Sequence, residues 1–443
     1  MSTLLTPFRG VRYSAQRLPH LEEIMTPPYD VIHETERAAY MARSPYNMIH
    51  LILGATDAAD TVENNRFTRA AGLLQAWRRQ NVLVPEDRPA LYLYQQEFAV
   101  HGVPVTRTGI ISRVRLAAYA SGDIVPHEQT LAGPKADLLR LWSACQANLS
   151  LIFAVYADAT RRLETLLAPI LATPPQRLVT HWMEGQHRLW VVTDAALIAQ
   201  AQRAMQDKPL VIADGHHRYE TGLALRDAMR RQQPRGGTPV ASYDSVMMYC
   251  ANIYDAGVII LPTHRLVQHL PIPDMAALLQ QLPWIQTEVV PRHVASESLP
   301  QWQQRIERLL RERQEQGSVF ALYAGGDNCY VMTVTPTAAV QHVQVETASP
   351  AWKRLDVSVL HYGILPALQA CLPTAQPTIA YARAGDEVLG AVACGEYDLA
   401  VLMNPTPLQD MVQIARGGER MPPKSTYFYP KLPTGLVINC FDL

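Results

Sequence analysis

The residues best suited to chemistry in this 443-residue chain lie in one stretch, "PLVIADGHHRYETGLALRD", residues 209–227. Here an acid, a glycine, two histidines and an arginine follow one another without a break. "PLVIA" before Asp214 reads as a buried strand. From Tyr219 onward, Tyr219, Leu223, Ala224 and Ala228 recur at helical spacing, so Asp214–Arg218 are predicted to form a strand-to-helix turn. The first turn of a helix leaves backbone N–H groups unpaired and carries about half a positive charge, which attracts phosphate. Gly215 lets an anion approach the backbone, and Arg218 offers a fork for two oxygens. Asp214 beside phosphate implies Mg²⁺ coordination or proton acceptance in phosphoryl transfer; the plainer alternative is a helix N-cap. Adjacent helical side chains diverge by about 100°, so one of His216 and His217 is expected to face the ligand and the other the scaffold. Zinc is disfavoured, because the chain has neither HExxH nor CxxC to supply further ligands.

Other polar clusters are less specific. "GERMPPKST", residues 418–426, nearly spells a P-loop, but Pro423 stands where the phosphate cradle needs a glycine. Lys424, Ser425 and Thr426 remain candidate phosphate contacts, beside an aromatic run, Tyr427–Tyr429, that either closes over a substrate or packs a final strand. Tyr29, Asp30, Tyr46 and Asn47 follow prolines and read first as turn residues, with a pocket lining as the alternative. His264 and Arg265 follow a strand, at a phosphate site or on the surface.

The elements that must position these residues are short and mixed. Phe67, Ala70, Ala71, Leu74 and Trp77 mark a helix with one buried stripe, with Thr61 as its candidate cap. "ALYLYQQEFAVHGVPVTRTGIISRVRL" alternates like a hairpin broken at His101-Gly102. Further β-rich runs include "HRLWVVTD", "SVFALYAGG" and "YDLAVLMNP", while "LPQWQQRIERLLRERQEQ" reads as an amphipathic helix through Trp302, Ile306, Leu309 and Arg313. The fold class is therefore mixed α/β (α+β). The 33 prolines and the length suggest three parts: 1–270, a small α+β module at 271–345, and a C-terminal module at 346–443 closing on the first.

The net charge of −1 and a pI near 6.9 remove the general basic field that non-specific nucleic-acid binding uses. With 48% apolar and 18% charged residues, the composition is globular, and no apolar run reaches the roughly 18–20 residues of a membrane span. Six scattered cysteines and an N-terminal stretch carrying Pro7, Arg9 and Arg12 predict a reduced, cytoplasmic setting.

At "PFRGVRY", "TPPYDVI", "SPYNMIHLILG", "YQQEF", "IVPHEQTLAGPKADLLRL", "LVIADGHHRYETGLALRD", "VMMYCANIYDAGVIILPTHRLV", "LDVSVLH" and "MPPKSTYFYPKLPTGLVIN" the chain resembles the family of domain of unknown function 1015. More distantly, "DGHHRYET" is similar to the Gly-x-His-Arg box of the ParB and sulfiredoxin superfamily, which includes kinases of free serine. That resemblance implies a nucleotide-binding core of this type and a box that binds nucleotide phosphates. His216 stands where sulfiredoxin has its reactive cysteine, which excludes its thiol chemistry. An acidic residue lies upstream of the box in that superfamily, as Glu128 does here, so Glu128 is expected as the base for an acceptor hydroxyl and Lys135 as a phosphate contact. The implied activity is transfer of phosphate from ATP or ADP, with Mg²⁺, to a small hydroxyl-bearing metabolite. Two other readings remain: a nucleotide-binding or hydrolysing regulatory switch acting on a macromolecular partner, and a phosphodiesterase or nuclease.

Overall fold

A computed structural model describes the chain except residues 1–4, 131, 184, 233–240, 294–295, 373–374 and 384–386. It divides into two compact units. The first holds Met1–Pro126, Thr130–Val258 and Pro430–Leu443; the second holds His127–Gln129 and Ile259–Tyr429.

The first unit is built on a nine-stranded mixed sheet. Its strands are β1 (Leu5–Thr6), β2 (Leu91–Val100), β3 (Val103–Arg115), β4 (Ile124–Val125) and β5 (Ile152–Tyr156), followed by β6 (Arg177–Trp182), β7 (Gly185–Val192), β8 (Leu210–Asp214) and β9 (Ser245–Asn252). They lie in the order β4-β8-β5-β9-β3-β2-β7-β6, with β1 on β3. The β2–β3 hairpin turns at His101 (φ 50°) and Gly102 (φ 79°), between paired Val100 and Val103. Two consecutive positive φ values are what a type I′ turn needs to follow the strand twist. Continuous apolar burial in β5 and β9 explains why they read as unbroken hydrophobic runs.

Three helices matter for the site: α1 (Arg66–Arg79), α2 (Ala132–Cys145) and α3 (His216–Gln232). α1 buries Ala70, Leu74 and Trp77, the expected stripe. Its cap is Asn65 and not Thr61: the Asn65 side chain accepts from the N–H groups of Phe67 and Thr68. Thr61 caps nothing there, because its hydroxyl accepts from the N–H of Asn64 in the preceding turn. α3 packs on α2, and Gly222 lies close to Leu116, from whose methyl a Cβ at 222 would be 3.2 Å away.

In the second unit, β10 (Thr263–Gln268), β11 (Gln286–Pro291), β12 (Ser318–Tyr323), β13 (Asn328–Val334), β14 (Thr378–Arg383) and β15 (Leu399–Met403) form one antiparallel sheet. The order β11-β13-β12-β15-β10-β14 runs across the expected boundary at 345, because residues 271–345 and 346–443 both contribute strands to it. α4 (Leu299–Arg313) covers it with Trp302, Ile306 and Leu310 buried, and is started by a Ser298–Gln301 capping box. The whole is a mixed α+β architecture. No helix among the described residues is long and apolar enough to cross a membrane, and all six cysteines are free thiols.

Candidate anion site

The box occupies the predicted place. β8 ends at Asp214 and α3 begins at His216, with Gly215 between them at φ 95° and its carbonyl accepting from the N–H of Tyr219 at 3.0 Å. A register shift between Ile212 and Asp214, against β5, re-aims the acid at the end of the strand. Tyr219 then anchors the first turn of α3: its hydroxyl donates to the carbonyl of Ala117 at 2.7 Å and accepts from that residue's N–H at 3.1 Å.

Two cations hold the Asp214 carboxylate. Arg218 donates to Oδ2 at 3.1 Å, and the ammonium of Lys431 stands 3.3 Å from Oδ1. Burial alone would push this carboxyl upward, but Lys431 and then Arg218 outweigh it and keep the group well below the ordinary carboxylate range. One carboxylate stands against two cations at the positive end of a helix, and the Asp30 carboxylate also acts on Arg218.

Arg218 does not offer the open fork that the sequence suggested. It is 2% exposed, and its other terminal nitrogen donates to the backbone carbonyl of Leu151. Its guanidinium lies against Gly215, where a Cβ would come within 2.9 Å of Nε. Gly215 is therefore required by its positive φ and by Arg218, and Arg218 serves as a positioning residue for Asp214. His216 is buried at 4% exposure, whereas His217 is half-buried. Burial pushes the His217 imidazole below its ordinary value, with Asp30 and Glu220 opposing that shift. Of the two histidines, His217 is the more accessible.

Lys135 reaches the same helix from α2. Its ammonium donates to Glu220 Oε2 at 2.8 Å and to the hydroxyl of Thr130 at 2.9 Å, and that hydroxyl donates to Glu220 at 2.6 Å. Two of the three ammonium protons are thus used, and the side chain remains a third exposed.

The structure adds three residues that sequence reasoning did not assign to the box. Lys431 lies two residues beyond the aromatic run, outside every candidate cluster. Tyr29 and Asp30 read first as turn residues, yet the Asp30 carboxylate acts on Arg218 and on His217, and Tyr29 is close enough to feel Arg218 and Asp214. The turn reading does fit Tyr46 and Asn47: the Asn47 amide donates to the carbonyl of Glu23 and its oxygen accepts from the N–H of Ile49. "PPYD" at 27–30 and "PKL" at 430–432 were the available signals; their distance in sequence from the box hid the pairing.

The remaining candidates belong to the second unit. Glu128 is half-buried between His127, whose Nε2 lies 2.9 Å from the Thr426 hydroxyl, and Gln129. The N–H of Met421 donates to the His127 carbonyl at 2.8 Å, so residues 127–129 are tied to the 421–426 loop. In that loop Lys424 is exposed at φ 56°, and the Ser425 hydroxyl donates to the carbonyl of Pro422. The aromatic run forms a strand, Tyr427–Tyr429, paired with Ile259–Leu261. His264 and Arg265 are fully buried, which excludes the surface reading; Arg265 donates to His361 at 3.1 Å and to the Lys424 carbonyl at 3.2 Å.

Magnesium held directly by Asp214 does not fit these surroundings. Both carboxylate oxygens already face cations, and the described residues hold no cluster of three metal-ligating side chains. A divalent ion there would be repelled by Lys431 and Arg218.

Comparison with known proteins gives the following. The family model described as "Protein of unknown function (DUF1015)" matches residues 5–358. Among solved structures, a conserved hypothetical protein from Pyrococcus furiosus is similar at 11% identity and a TM-score of 0.32, covering 76% of this chain and 97% of that one. A free serine kinase in complex with AMP is similar at 11% identity and a TM-score of 0.31, covering 74% and 92%. SbnI with a C-terminal truncation, from Staphylococcus aureus, is similar at 12% identity and 0.34, covering 74% and 87%. A search of curated protein sequences gives no match.

Proposed function

The chain belongs to the DUF1015 family, and from that premise we propose that it is a nucleotide-dependent small-molecule phosphotransferase. ATP or ADP would be the donor and a hydroxyl compound such as free serine the acceptor. The observation that carries the reading is the strand-to-helix turn at the positive end of α3, where Lys431 and Arg218 clamp Asp214. Such a turn suits a polyphosphate better than a neutral or cationic ligand.

In this reading the backbone N–H groups that open α3 and the His217 imidazole receive phosphate oxygens, and Lys135 adds its remaining N–H. Arg218 and Lys431 act by fixing Asp214 and by their charge. The acceptor oxygen bonds to the terminal phosphorus as the bond from that phosphorus to the nucleotide oxygen breaks, and Glu128 takes the hydroxyl proton. Lys424 stays in the proposal as a nucleotide contact. Ser425, whose hydroxyl bonds within its own loop, and Thr426, whose hydroxyl bonds to His127, hold its shape.

The test is a thermal-shift series with pyrophosphate, ADP and ATP, each with and without Mg²⁺, followed by a transfer assay to serine and other small alcohols. Stabilisation by the phosphates and acceptor-dependent turnover lost in Glu128→Gln are expected. Absence of any shift at millimolar ligand contradicts the reading. Turnover that responds to a macromolecular partner and not to an alcohol favours a switch.

A further inference from the structure

The first unit contains a cavity of about 250 Å³, lined by Tyr29, Leu51, Phe67, Pro134, Leu138 and Leu141, with Arg66 and Asp137 also in its wall. We infer that this cavity takes the base of a bound purine nucleotide whose phosphates lie at the Asp214–Arg218 turn. This inference rests on the function proposed above.

The placement comes from α2. One face of that helix sends Lys135 to Glu220, one turn along α3 from the box, while Pro134, Leu138 and Leu141 of the same helix wall the cavity. Tyr29 lines the cavity as well and feels the charges of both Asp137 on the cavity side and Arg218 and Asp214 on the box side. The cavity and the positive turn are thus joined through one helix and one tyrosine.

Size and lining select the ligand part. At about 250 Å³ the cavity is smaller than the roughly 300–1,000 Å³ of pockets that engulf a whole drug-sized molecule. It therefore takes a flat base and leaves the sugar and phosphates outside. The walls are mostly apolar, and the Arg66 guanidinium, centred 4.7 Å from the Phe67 ring centroid, pairs with Asp137 at 2.5 Å. A guanidinium so fixed presents a planar face for stacking, and the carboxylate accepts from an exocyclic amine. A two-ring base fills more of such a space than a one-ring base and gains more from leaving water.

Calorimetry on the full-length protein with pyrophosphate, ADP and CDP separates this inference from the reading it rests on. The wild type is expected to bind ADP at least about tenfold more tightly than pyrophosphate, and more tightly than CDP. Leu138→Trp, which fills the cavity, and Arg66→Ala, a partly exposed change that spares the core, are expected to weaken ADP by about tenfold and leave pyrophosphate unchanged. Retained pyrophosphate binding also shows that each variant is folded. ADP bound no more tightly than pyrophosphate, or variants that weaken both equally, overturns the base pocket while the anion site stands. If pyrophosphate does not bind the wild type, the anion site fails and the base pocket fails with it.

Discussion

At the residue scale, the account turns on how a single carboxylate is held. Asp214 is ionised because Lys431 and Arg218 outweigh its burial, so its folded value lies below the ordinary 3.8. A carboxyl depressed in this way adds stability that is complete above the ordinary value and is lost as pH falls from there toward the folded value. Lys431→Met moves the folded value back up. The variant is expected to lose about 1–3 kcal/mol at neutral pH and to show a smaller further loss through the acid range than the wild type. Urea unfolding from neutrality down through the carboxylate range measures both effects; identical acid limbs would show that Lys431 does not set the charge of Asp214. Gly215→Ala tests the turn itself. The positive φ costs an alanine about 1–2 kcal/mol, and its Cβ would displace the Arg218 guanidinium. Lower stability together with weakened pyrophosphate binding is expected.

At the element scale, legibility followed locality. The β2–β3 hairpin was readable because His101-Gly102 and the alternation around it carry the whole instruction in adjacent residues. The same holds for the β8-to-α3 turn, where a buried run meets a helical period at Gly215. The cap of α1 was misread because Thr61 and Asn65 are both competent capping residues, and only the backbone path decides between them. Asn65→Ala is expected to lower stability by about 1 kcal/mol, whereas Thr61→Ala has a smaller effect; paired thermal melts compare the two directly. Arg218 was visible in sequence, but its partner on the inner side is the backbone carbonyl of Leu151, and no side-chain pattern advertises a carbonyl acceptor. Hence its expected phosphate fork became a buried positioning contact.

At the scale of the whole molecule, the order of the chain is not the order of its units. Pro430–Leu443 return to the first unit after the second is complete. There Ile438 bridges Val11, Asn439 pairs with Asn148, and Lys431 reaches Asp214, 217 positions earlier. That separation is why Lys431 could not be assigned from sequence. A chain ending at Tyr429 is expected to lose protection from hydrogen exchange in β8 and the first turns of α3. Unchanged exchange there would show that the returning segment does not support the box. The most direct test of the central claim is calorimetric titration of pyrophosphate into the full-length wild type and Lys431→Met at two salt concentrations. The account predicts binding by the wild type that weakens with salt and falls at least about tenfold in the variant. An absence of binding at millimolar pyrophosphate, or an affinity indifferent to both salt and Lys431, would contradict it.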